Sequence, residues 1–543
     1  MARTPMSLRD PLRSRIFFAL WVAAMASNVG TWVQSVGEKW QMAQLTQSPL
    51  LVALIETGTT LPVLFLGIAA GAFADILDRR KLLIGTQLFM LAVAGSLAAL
   101  TFAHQITPTV LLVMSLLIGI GSALSMPAFQ AIVPELLPRE HLEGGIALNS
   151  AGFNASRALG PALGGAVVGL LGAGWAFLLN AVSFLAVVVV LWKWRRQAPA
   201  EDLPGERFLG AFKVGLRYTL HNRPFQIILV RACSYVWFAG VIFSLLPALA
   251  IHQLGLSSEA FGALMGCVGA GAVAAAFAMP ALRARLDANQ LLGLATAMAA
   301  GAQLLIAFVP HTPTVALCLV ITGVSWILIL STVNTAIQVS VPSWVKARAF
   351  GAYHMVWGGA MALGAAFWGE LAVRVGIRAA MGLSAAGMLA ALAVLGRLRI
   401  TAFDEDLDLS PHHDGPHPAT SIPQEAGPVL VQMEYAVAPE DRESFLAAMD
   451  DVRRLRLRDG AIRWALFHDP DQGGPLRFQE TWFSSTMGEH LRQHHRATAQ
   501  DRAVLARAYA YAEGGRPATR HLVVVEDHDS SLLQKIWQGW VGE

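Results

Sequence analysis

The sequence predicts an all-α membrane protein of two six-helix bundles, with a small α+β domain near its C-terminal end. Three observations lead there. Of 543 residues, 55% are hydrophobic and only 14% are charged, against about 25% charged in ordinary soluble domains. Twelve apolar blocks precede Arg397, each near the roughly 20 residues that a spanning helix needs. Between the second and third lies the turn Gly71-Ala-Phe-Ala-Asp75-Ile-Leu-Asp78-Arg79-Arg80-Lys81, whose charges suit only a membrane edge where they find partners.

The first block, 16–37, follows a basic start. It runs on too far, and without a small-residue cleavage site, for a signal peptide, so it is read as the first span. Blocks 50–74, 82–103, 109–134, 145–171 and 174–194 complete a first bundle, residues 1–194. A basic, polar linker occupies 195–224. Blocks 225–251, 258–281, 290–310, 313–338, 349–373 and 376–396 make the second bundle, residues 225–399. Cys233, Cys267 and Cys318 fall inside these blocks without metal-ligand spacing and read as free thiols. The 49 glycines fit close helix contacts.

Lys and Arg gather on one side of the spans, from Arg9, Arg13 and Arg15 through Arg79, Arg80 and Lys81 to Lys193, Arg283, Lys346 and Arg397. The other side receives only Lys39, Arg374 and Arg378. The positive-inside rule then puts both termini and the linker in the cytoplasm. The halves look alike. Gln130-Ala-Ile-Val-Pro134 ends the fourth block and Gln338-Val-Ser-Val-Pro342 the tenth, while Gly160, Gly165 and Gly172 recur as Gly364, Gly369 and Gly376. A repeat in the same topology predicts bundles related by an axis along the membrane normal, rocking about a central site.

The charged turn is similar to the loop between helices two and three of the major facilitator superfamily, Gly-x-x-x-Asp-x-x-Gly-Arg-Lys/Arg. Gly71, Asp75, Arg79 and Arg80 fill its positions, and Asp78 stands where many members have Gly. Ser156-x-x-x-Gly160-Pro161-x-x-Gly164-Gly165 resembles the helix-five antiporter motif of drug exporters. Asn28-Val-Gly-Thr-Trp32, Leu45-Thr-Gln-Ser-Pro49, Ile146-Ala-Leu-Asn-Ser150 and Ser331-Thr-Val-Asn334-Thr335 narrow the resemblance to enterobactin-exporter-like proteins, also called transmembrane secretion effectors. The resemblance implies a twelve-span carrier with a cytoplasmic gate. In it Asp75 accepts hydrogen bonds at a helix N-terminus, where the dipole favours an anion, and Arg79 and Arg80 tie to acidic partners. A plain topogenic turn with solvated charges is the competing reading. One departure matters: drug exporters often carry an Arg in helix four, implicated in proton relay, and Ser115 occupies that position.

Candidates for the substrate and proton pathway come from polar groups inside apolar blocks. Glu56 is read either as a proton- or substrate-sensing carboxylate or as an interfacial group hydrated from the outer mouth. Arg157, with Asn154, either faces the cavity and binds an anionic or catecholate-like substrate or snorkels to the cytoplasmic edge. Arg231 reads as an anchor. Asn28, Trp32, Gln34, Trp237, Trp326, Asn334, Gln338, His354 and Trp357 are each equally well helix-contact groups; as a set they suit a bulky, partly aromatic substrate. Gly160, Pro161, Gly164 and Gly165 bend and pack helix five, either shaping alternating access or as a structural kink alone.

After Arg399 an acidic, Pro- and His-containing linker fills 400–427. Residues 428–526 then read as strand 429–437, helix 439–458, strands 462–468 and 476–483, helix 487–512 and strand 521–525. That order is ferredoxin-like and resembles the dimeric α+β-barrel domains of antibiotic-biosynthesis monooxygenases. His490, His494 and His495 cluster on one helix without a recognised metal pattern. An amphipathic tail, 527–543, ends the chain. The reading is a non-enzyme: a proton-coupled exporter of a small organic molecule, siderophore-like or drug-like. No cofactor, metal or nucleic acid is expected; its partners are substrate, protons and lipid, with dimerisation through the last domain. Two alternatives stand beside it: a membrane anchor for an oxidoreductase or regulatory tail, and an importer of the same fold. No phosphate-binding loop for ATP is present.

Overall fold

The computed structural model describes residues 10–138, 141–194, 218–342, 345–400, 423, 426–470, 475–496, 498–513, 515, 517 and 519–523. Side chains at 67–69, 71–76, 131, 134, 143, 146, 147, 150, 154, 157, 158, 347, 492 and 494–496 lie outside that description. The described residues form two compact units, one drawn from Met1–Phe208, Ile227–Ala336 and Phe350–Ile400, the other from Leu209–Gln226, Ile337–Ala349 and Thr401–Glu543.

The first unit is built on long helices. In chain order these are α1 (Arg15–Leu45), α2 (Pro49–Ile76), α3 (Arg79–Phe102), α4 (Pro108–Leu136), α5 (Leu142–Leu171) and α6 (Ala173–Lys193). Then come α7 (Arg223–His252), α8 (Ser258–Arg283), α9 (Ala288–Phe308), α10 (Thr312–Ser340), α11 (Lys346–Val375) and α12 (Ile377–Leu395). Caps written into the sequence set several starts. Ser14 accepts from Phe17 N at α1, Thr107 from Val110 N at α4, and Asp287 with Gln290 forms a capping box at α9. Asp78 accepts from Lys81 N at 2.9 Å, so it is the N-cap of α3.

Among the described residues, eleven of these helices are long and apolar enough to cross a membrane; α5 contributes only the shorter apolar stretch Leu159–Leu171. The expected count of twelve spans is therefore not established among the described residues. The first span also differs from expectation. Its helix runs to Leu45 rather than ending at 37, since nothing breaks it before Thr46, whose N–H closes the last turn on Met42. Glu38 and Lys39 thus lie inside the helix, and both are buried. Lys39 is not an outer-loop charge.

Helix α1 packs on α5 and α6, α2 on α4, and α3 on α4 and α6; later in the chain α9 packs on α12. Glycines set the closest approaches. At Gly119 of α4 an added Cβ would lie 2.7 Å from the Gly58 carbonyl oxygen of α2. The first six and last six helices meet where α5 packs on α8. There Gly165 and Gly262 face each other, and a Cβ on Gly165 would sit 2.6 Å from Gly262 Cα. Trp40 of α1 stacks on Phe261 of α8 with ring centroids 4.7 Å apart. Thr57 of α2 donates to the Ala362 carbonyl of α11 at 2.8 Å, and the His252 ring lies 3.1 Å from the Thr46 carbonyl. The largest apolar cluster surrounds these contacts and includes Val36, Trp40, Val52, Leu245, Phe261 and Trp368. Most of these contacts lie toward the end of the bundle away from the start of α1.

The second unit contains a four-stranded antiparallel sheet, β1 (Val429–Val437), β2 (Arg463–Asp469), β3 (Leu476–Ser484) and β4 (Thr519–Val523), in the order β2-β3-β1-β4. Alternation along β1 sends Val429, Val431, Met433, Tyr435 and Val437 to one buried face. Helix α13 (Arg442–Asp459) covers that face with Phe445, Met449, Val452 and Leu455. The expected single helix over 487–512 is instead two, α14 (Met487–Arg496) and α15 (Ala499–Tyr509). Thr498 and Asp501 form a capping box that starts the second, so local hydrogen bonding overrides the continuous helical pattern. The last expected strand is described only as far as Val523, and the amphipathic tail lies outside the described residues.

Candidate functional site

Because α1 stays helical past residue 37, Gln34 and Glu38 stack one turn apart on the same face. Gln34 Nε2 donates to Glu38 Oε1 at 2.6 Å, and Asn180 Nδ2 of α6 donates to Gln34 Oε1 at 2.6 Å. The Ser115 hydroxyl of α4 reaches the other carboxylate oxygen, Glu38 Oε2, at 2.8 Å. Lys39, the next residue along α1, turns to α2 and forms an ion pair with Glu56. Glu38 is 1% exposed, and the Lys39 and Glu56 side chains are each 11% exposed. Charges this deep in an apolar bundle persist only when paired or hydrogen-bonded.

Of these groups Gln34, Glu38 and Glu56 border a cavity of about 200 Å³ between α1, α2 and α4, lined also by Thr31, Trp32, Ser35, Thr59, Thr60, Ile118, Gly119 and Ser122. Of the residues singled out from sequence, Trp32, Gln34 and Glu56 come together here. Asn28 is half-buried one turn earlier on α1, and Asn334 is half-buried on α10. Gln338 is exposed near the end of α10. Trp357 belongs to a separate aromatic group of the later helices: it meets Trp326 edge-on at 5.5 Å and Tyr353 at 5.5 Å. Tyr235 bonds Ser325 there at 2.6 Å. The side chains of Asn154 and Arg157 lie outside the described residues.

Sequence reading missed Glu38, Lys39, Asn180 and the role of Ser115. The signal for the first two was present: no Gly or Pro separates Gly37 from Leu45, so the helical period continues and brings Gln34 over Glu38. Asn180 and Ser115 carried no signal, since only tertiary packing brings α4 and α6 to α1.

At the charged turn, Gly71 and Asp75 lie in the last turns of α2, with their side chains outside the described residues. Arg79 donates to Glu135 of α4 at 2.9 Å, and the Glu135 side chain is 3% exposed. Arg80 differs from expectation. Among the described residues it donates to the Leu191 and Trp192 carbonyls of α6 at 2.7 and 2.8 Å and to no acidic side chain. A helix C-terminus presents unpaired carbonyls and the negative end of its dipole, which a guanidinium satisfies. Arg231 is buried and donates to Asn289 Oδ1 at 2.6 Å, tying α7 to α9.

On α5, Gly160 leaves room for Trp32 of α1, a Cβ on Gly164 would lie 3.0 Å from Val33 Cα, and Gly165 meets Gly262 of α8. Pro161 sits inside the helix. The motif therefore brings α5 against α1 on one side and α8 on the other.

In the second unit Glu480 is fully buried and accepts from Tyr435 Oη at 2.7 Å, Arg456 Nε at 3.0 Å and Trp464 Nε1 at 3.0 Å. Burial and the Glu480 charge raise the Tyr435 hydroxyl far above its ordinary range. His490 and His521 face each other with Nε2 atoms 2.8 Å apart, and burial lowers the His521 pKa. His494 and His495 fall outside the described side chains. Among the described residues no group of three or more His, Cys, Asp or Glu is placed to hold a metal ion.

The family model described as "Transmembrane secretion effector" matches residues 6–529. The staphyloferrin A transporter of Staphylococcus aureus is 25% identical over 257 residues, 46% of this chain and 64% of that protein, so the chain spans a little under two thirds of this curated relative. The multidrug efflux pump Tap of Mycolicibacterium fortuitum is 24% identical over 68% of this chain and 91% of its own length. Among solved structures, a bacterial homologue of the human lysosomal transporter Spinster, inward-facing and unoccupied, aligns with TM-score 0.58 at 17% identity, covering 72% of this chain and 98% of that one. At that identity the likeness concerns the fold alone. It is the fold of a multi-pass membrane carrier, and the sequence motifs agree with it. The chain belongs to the transmembrane secretion effector family of major facilitator transporters.

Proposed function

We propose that this protein is a proton-driven secondary exporter of a small organic molecule, siderophore-like or drug-like, working by alternating access in a bacterial inner membrane with both termini cytoplasmic. One observation carries the reading: Glu38 and Glu56, the latter paired with Lys39, line a cavity inside otherwise apolar helices. Ionisable groups at such depth are costly and mark a transported solute or ion path. Helix α5 is read as the twelfth span, and α1–α6 and α7–α12 as the two rocking halves. The contacts at Gly165 and Gly262, Thr57 and Ala362, and Trp40 and Phe261 then describe a carrier closed toward the outside. Arg79 with Glu135 and Arg80 with the end of α6 brace its cytoplasmic edge. Relatives named as a siderophore transporter and as multidrug and macrolide efflux proteins favour export. The strand order of the C-terminal sheet supports a ferredoxin-like domain, taken here as an accessory unit for dimerisation or regulation.

The test is accumulation of candidate solutes in cells with and without the protein, each with and without a protonophore. Lower accumulation in expressing cells, erased by the protonophore, is expected. Equal accumulation for every solute, or a difference that survives the protonophore, would overturn proton-driven export.

A further inference from the structure

The cavity between α1, α2 and α4 has an uneven charge. Among its described residues and their partners stand two carboxylates, Glu38 and Glu56, and one ammonium, Lys39. Lys39 is spent on Glu56. The groups that touch Glu38 from its own helix and from α4 are neutral: Gln34 donates to one oxygen and Ser115 to the other. Asn180 of α6, behind Gln34, is neutral too. Each carboxylate oxygen has two lone-pair directions, so Glu38 keeps acceptor capacity for a further donor. A buried carboxylate with only neutral hydrogen-bond partners is poorly balanced in a medium of low dielectric, and a proton or a bound cation balances it. Among the described groups, one positive charge completes the site; a second would be in excess, and an anion would be repelled.

The rest of the lining narrows the ligand. Trp32 offers an aromatic face, which attracts a cation directly. Thr31, Ser35, Thr59, Thr60 and Ser122 supply hydroxyls. At about 200 Å³ the cavity is smaller than the roughly 300 Å³ at which drug-sized pockets begin, so it seats a charged head and not a whole large substrate.

We propose that this cavity binds the head of an organic monocation, its ammonium on Glu38 and its ring or methylene carbons against Trp32. This deepens the transport reading, on which it rests for its role, by choosing a cationic amine over a polycarboxylate siderophore as the substrate class.

Three probes share one ring and differ in charge: tyramine (cation), tyrosol (neutral) and 4-hydroxyphenylacetate (anion). Equilibrium binding of each to the purified full-length chain in detergent is the measurement, with size-exclusion elution reporting folding. Tyramine is expected to bind at least about tenfold more tightly than either analogue, the effect of one charge-assisted hydrogen bond. Glu38→Gln should remove that preference, Glu38→Asp should keep most of it, and Trp32→Leu should weaken tyramine more than tyrosol. If the anion binds as well as the cation, if none of the three binds, or if Glu38→Gln elutes as the native chain and keeps the preference, the proposal is wrong. Should Glu38→Gln fail to elute as the native chain, Trp32→Leu decides: equal losses for tyramine and tyrosol overturn it. Binding without any export in cells would sink the transport reading and leave this one standing.

Discussion

Ser115 of α4 bonds the Glu38 carboxylate of α1 at 2.8 Å, at the position where drug exporters often carry an arginine. One residue along α1 from Glu38, Lys39 is directed to Glu56 of α2. Helices α1 and α2 are therefore joined by an ion pair, and α1 and α4 by a hydrogen bond from a neutral donor.

The ion pair should show strong coupling in stability. Glu56→Gln leaves the Lys39 ammonium buried without its counter-charge, at a cost of about 3–5 kcal/mol. Joint replacement, Lys39→Met with Glu56→Gln, should recover most of that while abolishing transport, with Lys39→Met alone as the fourth protein. Thermal unfolding of the four proteins in a double-mutant cycle reads the coupling; additive losses would show that the pair is not formed.

Ser115→Ala should lose about 1.5–3 kcal/mol, the worth of a hydrogen bond to a charged group. Ser115→Thr keeps the hydroxyl and should retain activity. The comparison is made on melting temperature and transport rate together.

The α5–α8 contact depends on two glycines, Gly165 and Gly262. A leucine at either position forces the helices apart, so Gly165→Leu is expected to cut transport by about tenfold or more, in line with the 1–3 kcal/mol of overpacking. A cysteine at Ser257, beside that contact, should become more reactive to a membrane-impermeant thiol reagent in the Gly165→Leu background. Unchanged labelling with normal transport would show that the contact does not close this end.

In the C-terminal unit the pH dependence has a definite sign. Burial depresses the His521 pKa below its ordinary value of 6.5, so the folded state prefers the neutral ring. Its contribution is complete above pH 6.5 and is lost as the pH falls through the lower folded value. Amide hydrogen exchange along β4 in the full chain should quicken as the pH falls below 6.5, beyond the intrinsic pH effect on exchange. His521→Gln should flatten that excess.

Arg79 and Arg80 should behave differently although they are neighbours. Arg79 serves a carboxylate, so Arg79→Lys keeps the charge pair with Glu135 and should retain function where Arg79→Ala does not. Arg80 forks across two carbonyls, a geometry that one ammonium does not reproduce. Arg80→Lys should therefore impair transport nearly as much as Arg80→Ala, read in the same assay.

Much was determined by the sequence alone. Apolar blocks of spanning length, the capping residues Asp78 and Asp287, and the alternation of β1 specify helices and strands through local periodicity and backbone hydrogen bonding. Glu56 and Trp32 were visible as polar and aromatic groups in apolar surroundings. Tertiary structure decided the rest. Whether Glu56 faces water or an ammonium depends on α1 lying beside α2, and whether Ser115 is idle or holds Glu38 depends on α4 crossing the same face. The break between α14 and α15 depended on Thr498 and Asp501 capping each other, a choice between two local options. Periodicity reports which face of a helix is apolar but not which helix it meets, so side-chain partners across helices emerge only from the packed fold.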